Sequence, residues 1–274
     1  PPLLVSDYIG PVLRTALATE GISFADTTGW VRVISEEPLI LLTGQGADRS
    51  PRARGGSAIS RLNGVAASRT IRALSTTVLP VGVRGLALLA DVSPGSVSKL
   101  LVTLASEGIV DRDDSGGVLA VRRRALIRRW VSDYSFATAN QSAGYYIAPR
   151  GLGRTLTRLD QQPDIAITGS AAARRLLPDP TTSVVPLRLL ALYTSAPAAL
   201  TRDLGLIDAE PTTANVMIAV PQDSSILPTA EDQSPQVAPV ALVLADLLTL
   251  PGRSDAEAEQ LMDALASNDP AWGE

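Results

Sequence analysis

The sequence predicts an α+β multidomain protein with three folded parts. Apolar residues at helical spacing and short strand-like runs follow one another along the chain, which is typical of mixed α and β structure. A stretch rich in Gly, Ser, Pro and Arg interrupts this pattern near residue 50 and reads as a connector. The predicted divisions are a small N-terminal α/β unit at 1–48, a basic linker at 49–56, a central domain at 57–138 and a C-terminal α/β domain at 139–274.

Charge is distributed unevenly between these parts. The net charge of the 274 residues is -4, but residues 49–158 carry +11 while 1–48 carry -4 and 159–274 carry -11. A basic segment between acidic flanks is the electrostatic pattern of a nucleic-acid-binding module joined to other domains. A surface that is rich in Arg for other reasons is the alternative.

The composition excludes several kinds of chemistry. The chain has no His and no Cys, so a Ser-His-Asp site, a Cys-His site, a zinc site of the usual N/S type and a disulfide framework are excluded. Lys99 is the only lysine, and its surroundings fit neither a Schiff-base enzyme nor a P-loop. Carboxylate chemistry with magnesium remains open. We expect no catalytic residue, no metal site and no cofactor.

No segment has the character of a membrane span. The most apolar run, Val237 to Leu250, contains Pro239 and Asp246 and predicts a buried helix. The first residues lack the basic region of a secretory signal. We therefore expect a cytoplasmic protein without membrane contact.

The N-terminal part predicts a helix, a hairpin and a third strand. Apolar spacing indicates a helix over 7–20, followed by two strand-like runs around Thr28 and a third at 39–43. This order resembles a degenerate restriction-endonuclease-like fragment, in which Asp26 and Glu36 would be the acids, although the lysine of that pattern is missing. The alternative is that Asp26 hydrogen-bonds the backbone of the turn that follows it.

The central part contains the most specific pattern. Residues 57–74 form an amphipathic helical pattern, and a short helix is expected within 81–90. Ser93 is a predicted N-cap for a helix over 94–107 because Pro94 occupies the first helical position. A β-hairpin is expected over 109–121.

This order is that of a winged helix-turn-helix, and the segment from Arg84 to Gly117 closely resembles bacterial regulators of that class. The helix over 94–107 would then enter the major groove, and arginines of the hairpin and the following segment would contact phosphate. The predicted DNA-binding residues are Arg84, Ser93, Ser96, Ser98, Lys99, Thr103, Arg112, Arg122, Arg123, Arg124, Arg128 and Arg129. The alternative is a winged helix that binds protein.

The C-terminal part predicts alternating helices and strands. Helices are expected at 152–159, 197–204, 240–250 and 254–266, the last with Ser254 and Glu257 as a capping box. Buried strands are expected at 164–168, 187–193 and 215–220.

Thr168-Gly169-Ser170 follows one of these strands and enters a helix. It resembles the glycine-serine entry of a nucleotidyltransferase fold, whose chemistry needs two or three acids on the next strand. That strand has none here, and Asp179 is a lone candidate in a loop. We expect a degenerate nucleotidyltransferase-like domain that binds a partner or regulates.

Residues 57 to 260 together resemble the AbiEi-type antitoxin and transcriptional-regulator group, through Tyr146-Ile147-Ala148-Pro149-Arg150-Gly151 and the motif beginning at Ile167. The resemblance implies a repressor, often autoregulatory, that binds double-stranded DNA and whose acidic C-terminal domain engages a toxin. A homodimer is expected because operators are often palindromic. A magnesium-dependent nuclease or nucleotidyltransferase-like enzyme and a partner-binding interaction protein are the alternatives.

Overall fold

The computed structural model of this chain describes residues 2–6, 8–46, 61–160, 162, 164–179, 186–229, 235–252 and 254–273. The chain forms two compact units, Pro1–Ser60 and Arg61–Glu274. Both contain helices and strands, so the predicted α+β class is confirmed at this level. The predicted linker at 49–56 and the first residues of the predicted helix at 57–74 lie outside the described residues.

In its described residues, the first unit is a four-stranded sheet with one helix. The sheet has the order β1-β2-β3-β4, with β1 parallel to β2 and the other pairs antiparallel. Its small core contains Ile9, Leu17 and Phe24. The elements are β1 (Leu3–Ser6), α1 (Pro11–Thr19), β2 (Ser23–Asp26), β3 (Val31–Glu36) and β4 (Leu39–Gly44).

The predicted order of this unit is confirmed, with two corrections. The helix begins at Pro11 and not at Asp7, because proline is suited to the first helical position. Strand β1 was not predicted, since four residues at the start of the chain give too short a pattern. The turn role of Asp26 is confirmed: its carboxylate accepts hydrogen bonds from the backbone N–H of Thr28 and Trp30, at 2.9 and 3.1 Å.

The second unit begins with a group of helices and a two-stranded ribbon. The helix predicted at 57–74 begins only at Val65, after Gly64 at φ 83°. The other predicted helices and the hairpin are confirmed. The elements are α2 (Val65–Thr76), α3 (Val83–Ala90), α4 (Pro94–Ser106), β5 (Val110–Arg112), β6 (Val118–Val121) and α5 (Arg123–Trp130). We call residues 65–121 the helix–ribbon module.

A six-stranded mixed sheet with five helices, counted over the residues that the structure describes, completes the second unit. Its order is β10-β7-β11-β9-β8-β12, in which β11 is parallel to β9 and β8 is parallel to β12. The strands are β7 (Ser142–Ile147), β8 (Ile165–Thr168), β9 (Leu190–Thr194), β10 (Ile207–Asp208), β11 (Val216–Val220) and β12 (Gln236–Val237). The helices are α6 (Leu152–Leu159), α7 (Gly169–Leu176), α8 (Pro197–Leu204), α9 (Val240–Thr249) and α10 (Ser254–Ala266).

Helix α9 connects the module with the sheet. Seven of its ten residues, Ala241 to Leu247, are buried, and it packs against α2 and α5 on one side and α7, α10 and β8 on the other. One hydrophobic core therefore runs from Leu62 to Trp272. A helix whose buried residues are all apolar except Asp246 fits this position, because most of its residues have little contact with solvent.

Within the described ranges, no single helix is both long and apolar enough to cross a membrane. Helices α3 and α4 pass that test only as a pair, and this pair is bent by 111°.

Candidate nucleic-acid interface

The connection between α3 and α4 is a tight, capped turn. Asp91 ends α3 in the left-handed conformation at φ 50°. Ser93 begins α4, and its Oγ accepts a hydrogen bond from the backbone N–H of Ser96 at 3.2 Å. Pro94 follows at the first helical position, as predicted. The chain direction turns by 111° between the two helices, so α4 projects away from α3.

One face of α4 is open to solvent. Val97, Leu100, Leu101 and Leu104 are buried against the rest of the module. On the opposite side Ser96 and Lys99 are exposed and Ser98 is half-buried. In the described part of the chain Lys99 makes no ion pair. This face is therefore accessible and carries one cation.

One predicted contact residue of this face is not exposed. Thr103 is buried, because it lies one turn from Leu100 and next to Leu104, so the expectation that it faces DNA is wrong. Val102 is 53% exposed in its place. Val102 lies three residues after Lys99 and four after Ser98, and this helical spacing is the sequence signal that places it on the same face as these two residues.

The prediction that Arg123 contacts DNA is also wrong. It is buried, its guanidinium donates to the carbonyl oxygens of Leu74 and Thr77 at 3.3 and 2.7 Å, and it forms an ion pair with Asp269. Burial lowers the pKa of Arg123. Its side chain joins the C-terminal end of α2 to the C-terminal segment and does not reach a DNA phosphate.

The remaining arginines of α5 are held by carboxylates. Arg124 donates to Glu259 at 2.9 Å and to Asp263 at 2.6 Å, both on α10. Arg128 pairs with Glu259 at 2.8 Å, although its side chain is 57% exposed. These contacts connect α5 to α10.

Arg129, the last arginine of α5, pairs with acids of the central part itself. It bonds Glu107 at the end of α4 and Asp133, each at 2.8 Å. Its side chain is only 16% exposed, so this arginine stabilises the end of α4 and is poorly placed for phosphate.

The ribbon arginines and Arg84 form a second group. Arg112 donates to the carbonyl of Gly116 in the ribbon turn, at 3.0 and 2.8 Å. Arg122 is 40% exposed, donates to the carbonyl oxygen of Gly108 at 2.7 Å and makes longer contacts with Asp111 at 3.2 and 3.3 Å. Arg84 on α3 is exposed and pairs with no group among the described residues. Arg84 and Lys99 within the module, and Arg122 directly after it, are therefore the cations that remain accessible.

These pairs explain much of the charge segregation of the sequence. Arginines of the +11 segment meet carboxylates of the -11 segment at Asp223, Glu259, Asp263 and Asp269. The basic and the acidic segments therefore form complementary surfaces that meet within one compact unit. Consequently the local net charge overstates the positive field available to an external nucleic acid.

Asp223 joins the sheet to α2. Its carboxylate accepts hydrogen bonds from Arg69 Nε at 3.0 Å and Arg69 Nη2 at 2.8 Å, and it also pairs with Arg72. Burial alone would raise the pKa of Asp223, but hydrogen bonds from Arg69 and Ser225 and the charge of Arg72 outweigh it and lower the pKa to about 2. The carboxylate thus stays ionised, and through Arg69 it is linked to Asp91 in the α3–α4 turn.

A second carboxyl group is buried in the sheet layer. Asp246 of α9 has no exposed surface, and hydroxyl groups of Thr168, Tyr134 and Tyr193 contact its oxygens, the tyrosines at 2.6 and 2.8 Å. Burial raises the pKa of Asp246 to about 7, although these hydrogen bonds oppose the shift. Burial also raises the pKa of both tyrosines, so they remain neutral donors.

A cavity of about 410 Å³ lies between the module and the sheet. Trp130, Ile226 and Leu242 contribute apolar walls, and Tyr134 and Asp223 contribute polar ones. Its volume and mixed lining suit a small organic molecule. Tyr134 connects this wall to Asp246.

Thr168 and Ser170, from the motif that resembles a nucleotidyltransferase, make hydrogen bonds to acidic side chains within the fold. Thr168 binds Asp246, and Ser170 donates to Glu257, which is buried. The predicted cap of α10 by Ser254 is not described, because that side chain lies outside the described residues. The described residues contain no cluster of three or more acids that could hold a metal ion.

No protein-family model matches this chain, and neither a curated protein nor a solved structure is significantly similar to it.

Proposed function

We propose that this chain is a DNA-binding transcriptional regulator whose helix–ribbon module is a winged helix-turn-helix. The observation that carries the proposal is the pair α3 and α4, joined by a capped turn of 111°. Helix-turn-helix pairs cross at about 90–120° and place the second helix in the major groove. The antiparallel ribbon β5–β6, tied to the module through the bridge between Val81 and Val118, would be the wing.

In this proposal α4 presents Ser96, Ser98, Lys99 and Val102 to the groove. Serine hydroxyls bond to several base edges, and an exposed apolar side chain suits a thymine methyl group. Arg84 and Arg122 would contact phosphate on either side. Few bidentate donors face the groove, so DNA shape would supply part of the specificity.

The resemblance to AbiEi-type regulators supports a role as an autoregulating repressor, acting as a homodimer on a palindromic operator. In that group the C-terminal domain engages a toxin, and the sheet of residues 142–237 would take that role here. The passage from β8 into α7 at Gly169, with φ 61°, supports a degenerate nucleotidyltransferase-like fold for this part.

Selection from a pool of random duplexes, followed by fluorescence anisotropy, tests the proposal. We expect one sequence family to be enriched, and Lys99→Ala to weaken its binding about five- to ten-fold. Arg188→Ala is the matched control, because Arg188 is an exposed arginine outside the module. Failure to enrich any sequence, or equal losses in both variants, would refute the proposed function.

A further inference from the structure

A cluster of arginines outside the module lies on α6. Arg150 stands just before the helix, and Arg154 and Arg158 lie one turn apart on it, about 6 Å along the helix axis. All three line one cleft of about 250 Å³ together with Thr155, Thr157 and Leu204. The cluster was not predicted from the sequence.

No carboxylate among the described residues pairs with these arginines. Within the part of the chain that the structure describes, Arg158 donates only to the backbone carbonyl of Asp203, and Arg150 and Arg154 have no partner. The nearby Asp160 pairs with Arg175 instead. Helix α5 is also rich in arginine, but there each guanidinium pairs with at least one carboxylate. The α6 cleft is therefore a concentration of positive charge that no carboxylate of the described ranges pairs with.

Like charges one helical turn apart repel each other, so the arrangement favours an anion in the cleft. Guanidinium groups bind phosphate oxygens through paired N–H donors. The hydroxyl groups of Thr155 and Thr157 donate to the carbonyls of Gly151 and Gly153, which leaves the arginines as the donors for a ligand.

The size and place of the cleft indicate what kind of anion fits. Its volume lies below the range of about 300–1,000 Å³ usual for drug-sized ligands, so it suits a compact ligand. Several arginines in a row suit linked phosphates better than one isolated phosphate. Helix α6 packs on α8, whereas α2 of the module packs on α9.

We propose that the α6 cleft binds a small molecule that carries a chain of two or three phosphate groups, such as the phosphate moiety of a nucleoside polyphosphate. Arg150, Arg154 and Arg158 are the binding residues. This site would give the protein a phosphate-bearing ligand besides any DNA contacted by α4, and it does not depend on the DNA-binding role.

Calorimetric titration of the full chain with inorganic pyrophosphate and triphosphate tests the proposal. We expect saturable binding to the wild type below about 1 mM, and a loss of at least about ten-fold in Arg154→Glu. Arg188→Glu, the same charge reversal at another exposed arginine, is expected to change the affinity less than about two-fold, as a distant surface charge is screened. Circular dichroism checks that both variants are folded.

Three results would overturn the proposal. They are the absence of saturable binding in the wild type, an equal loss in the two variants, and a selective effect of Arg154→Glu on duplex DNA but not on triphosphate. Lys99→Ala separates this proposal from the proposed function, because it should weaken DNA binding and leave triphosphate binding unchanged.

Discussion

At the scale of single residues, Asp246 makes the stability of the second unit depend on pH. Its pKa is raised from 3.8 to about 7 by burial, so the folded state holds a proton that the unfolded state releases. A raised carboxyl pKa gives stability that is complete below about pH 4 and is lost as the pH rises through about 7. The hydroxyl groups around Asp246 can accept a hydrogen bond from the neutral acid as well as donate one.

We predict that Asp246→Asn removes this dependence. The free energy of unfolding of the wild type relative to this variant should fall by about 1.4 kcal/mol per pH unit between pH 4 and 7, and then level off. Urea unfolding at several pH values measures it. Parallel curves for the two proteins would show that Asp246 is ionised in the folded state throughout.

The arginines of α5 give a second prediction at this scale. Arg124→Ala should leave the DNA affinity within about two-fold, because the guanidinium is committed to α10, while the loss of its contacts destabilises the protein by about 1–3 kcal/mol. Anisotropy and thermal unfolding report the two effects. A large loss of DNA affinity with unchanged stability would mean that Arg124 contacts phosphate.

At the scale of elements, much of the second unit was predictable because its signals are local. Ser93-Pro94 fixed the start of α4, and the apolar spacing fixed its buried face except at Thr103. The strands at the sheet edges, such as Ile207–Asp208, were missed because two residues carry no periodicity. The pairing of α5 with α10 was missed because it joins residues about 135 positions apart, which no local pattern records.

The link between Asp223 and α2 leads to a prediction for these elements. Asp223→Ala leaves Arg69 and Arg72 near each other without their shared carboxylate, so we expect a loss of about 3 kcal/mol in unfolding free energy. Asp114→Ala, at an exposed turn of the ribbon, is the control, with an effect within about 0.5 kcal/mol. Similar effects of both changes would show that the link adds no stability.

At the scale of the whole molecule, the distribution of charge sets the salt response. If Arg84, Lys99 and Arg122 are the cations that meet the DNA, the logarithm of the binding constant should fall with the logarithm of salt concentration with a slope of about -3 per protomer. If all eight cations predicted from the sequence took part, the slope would be about -7. Anisotropy between low and moderate salt distinguishes the two values.

Helix α9 has one further consequence. The side chains of α9 fill the space between α2, α5 and the sheet. If heat melted the module while the sheet stayed intact, that helix would be exposed to water, so the two parts should unfold together. Residues 61–274 should therefore give a single calorimetric transition. A shortened chain that stops after residue 138 would leave the apolar surface that α9 covers open to self-association.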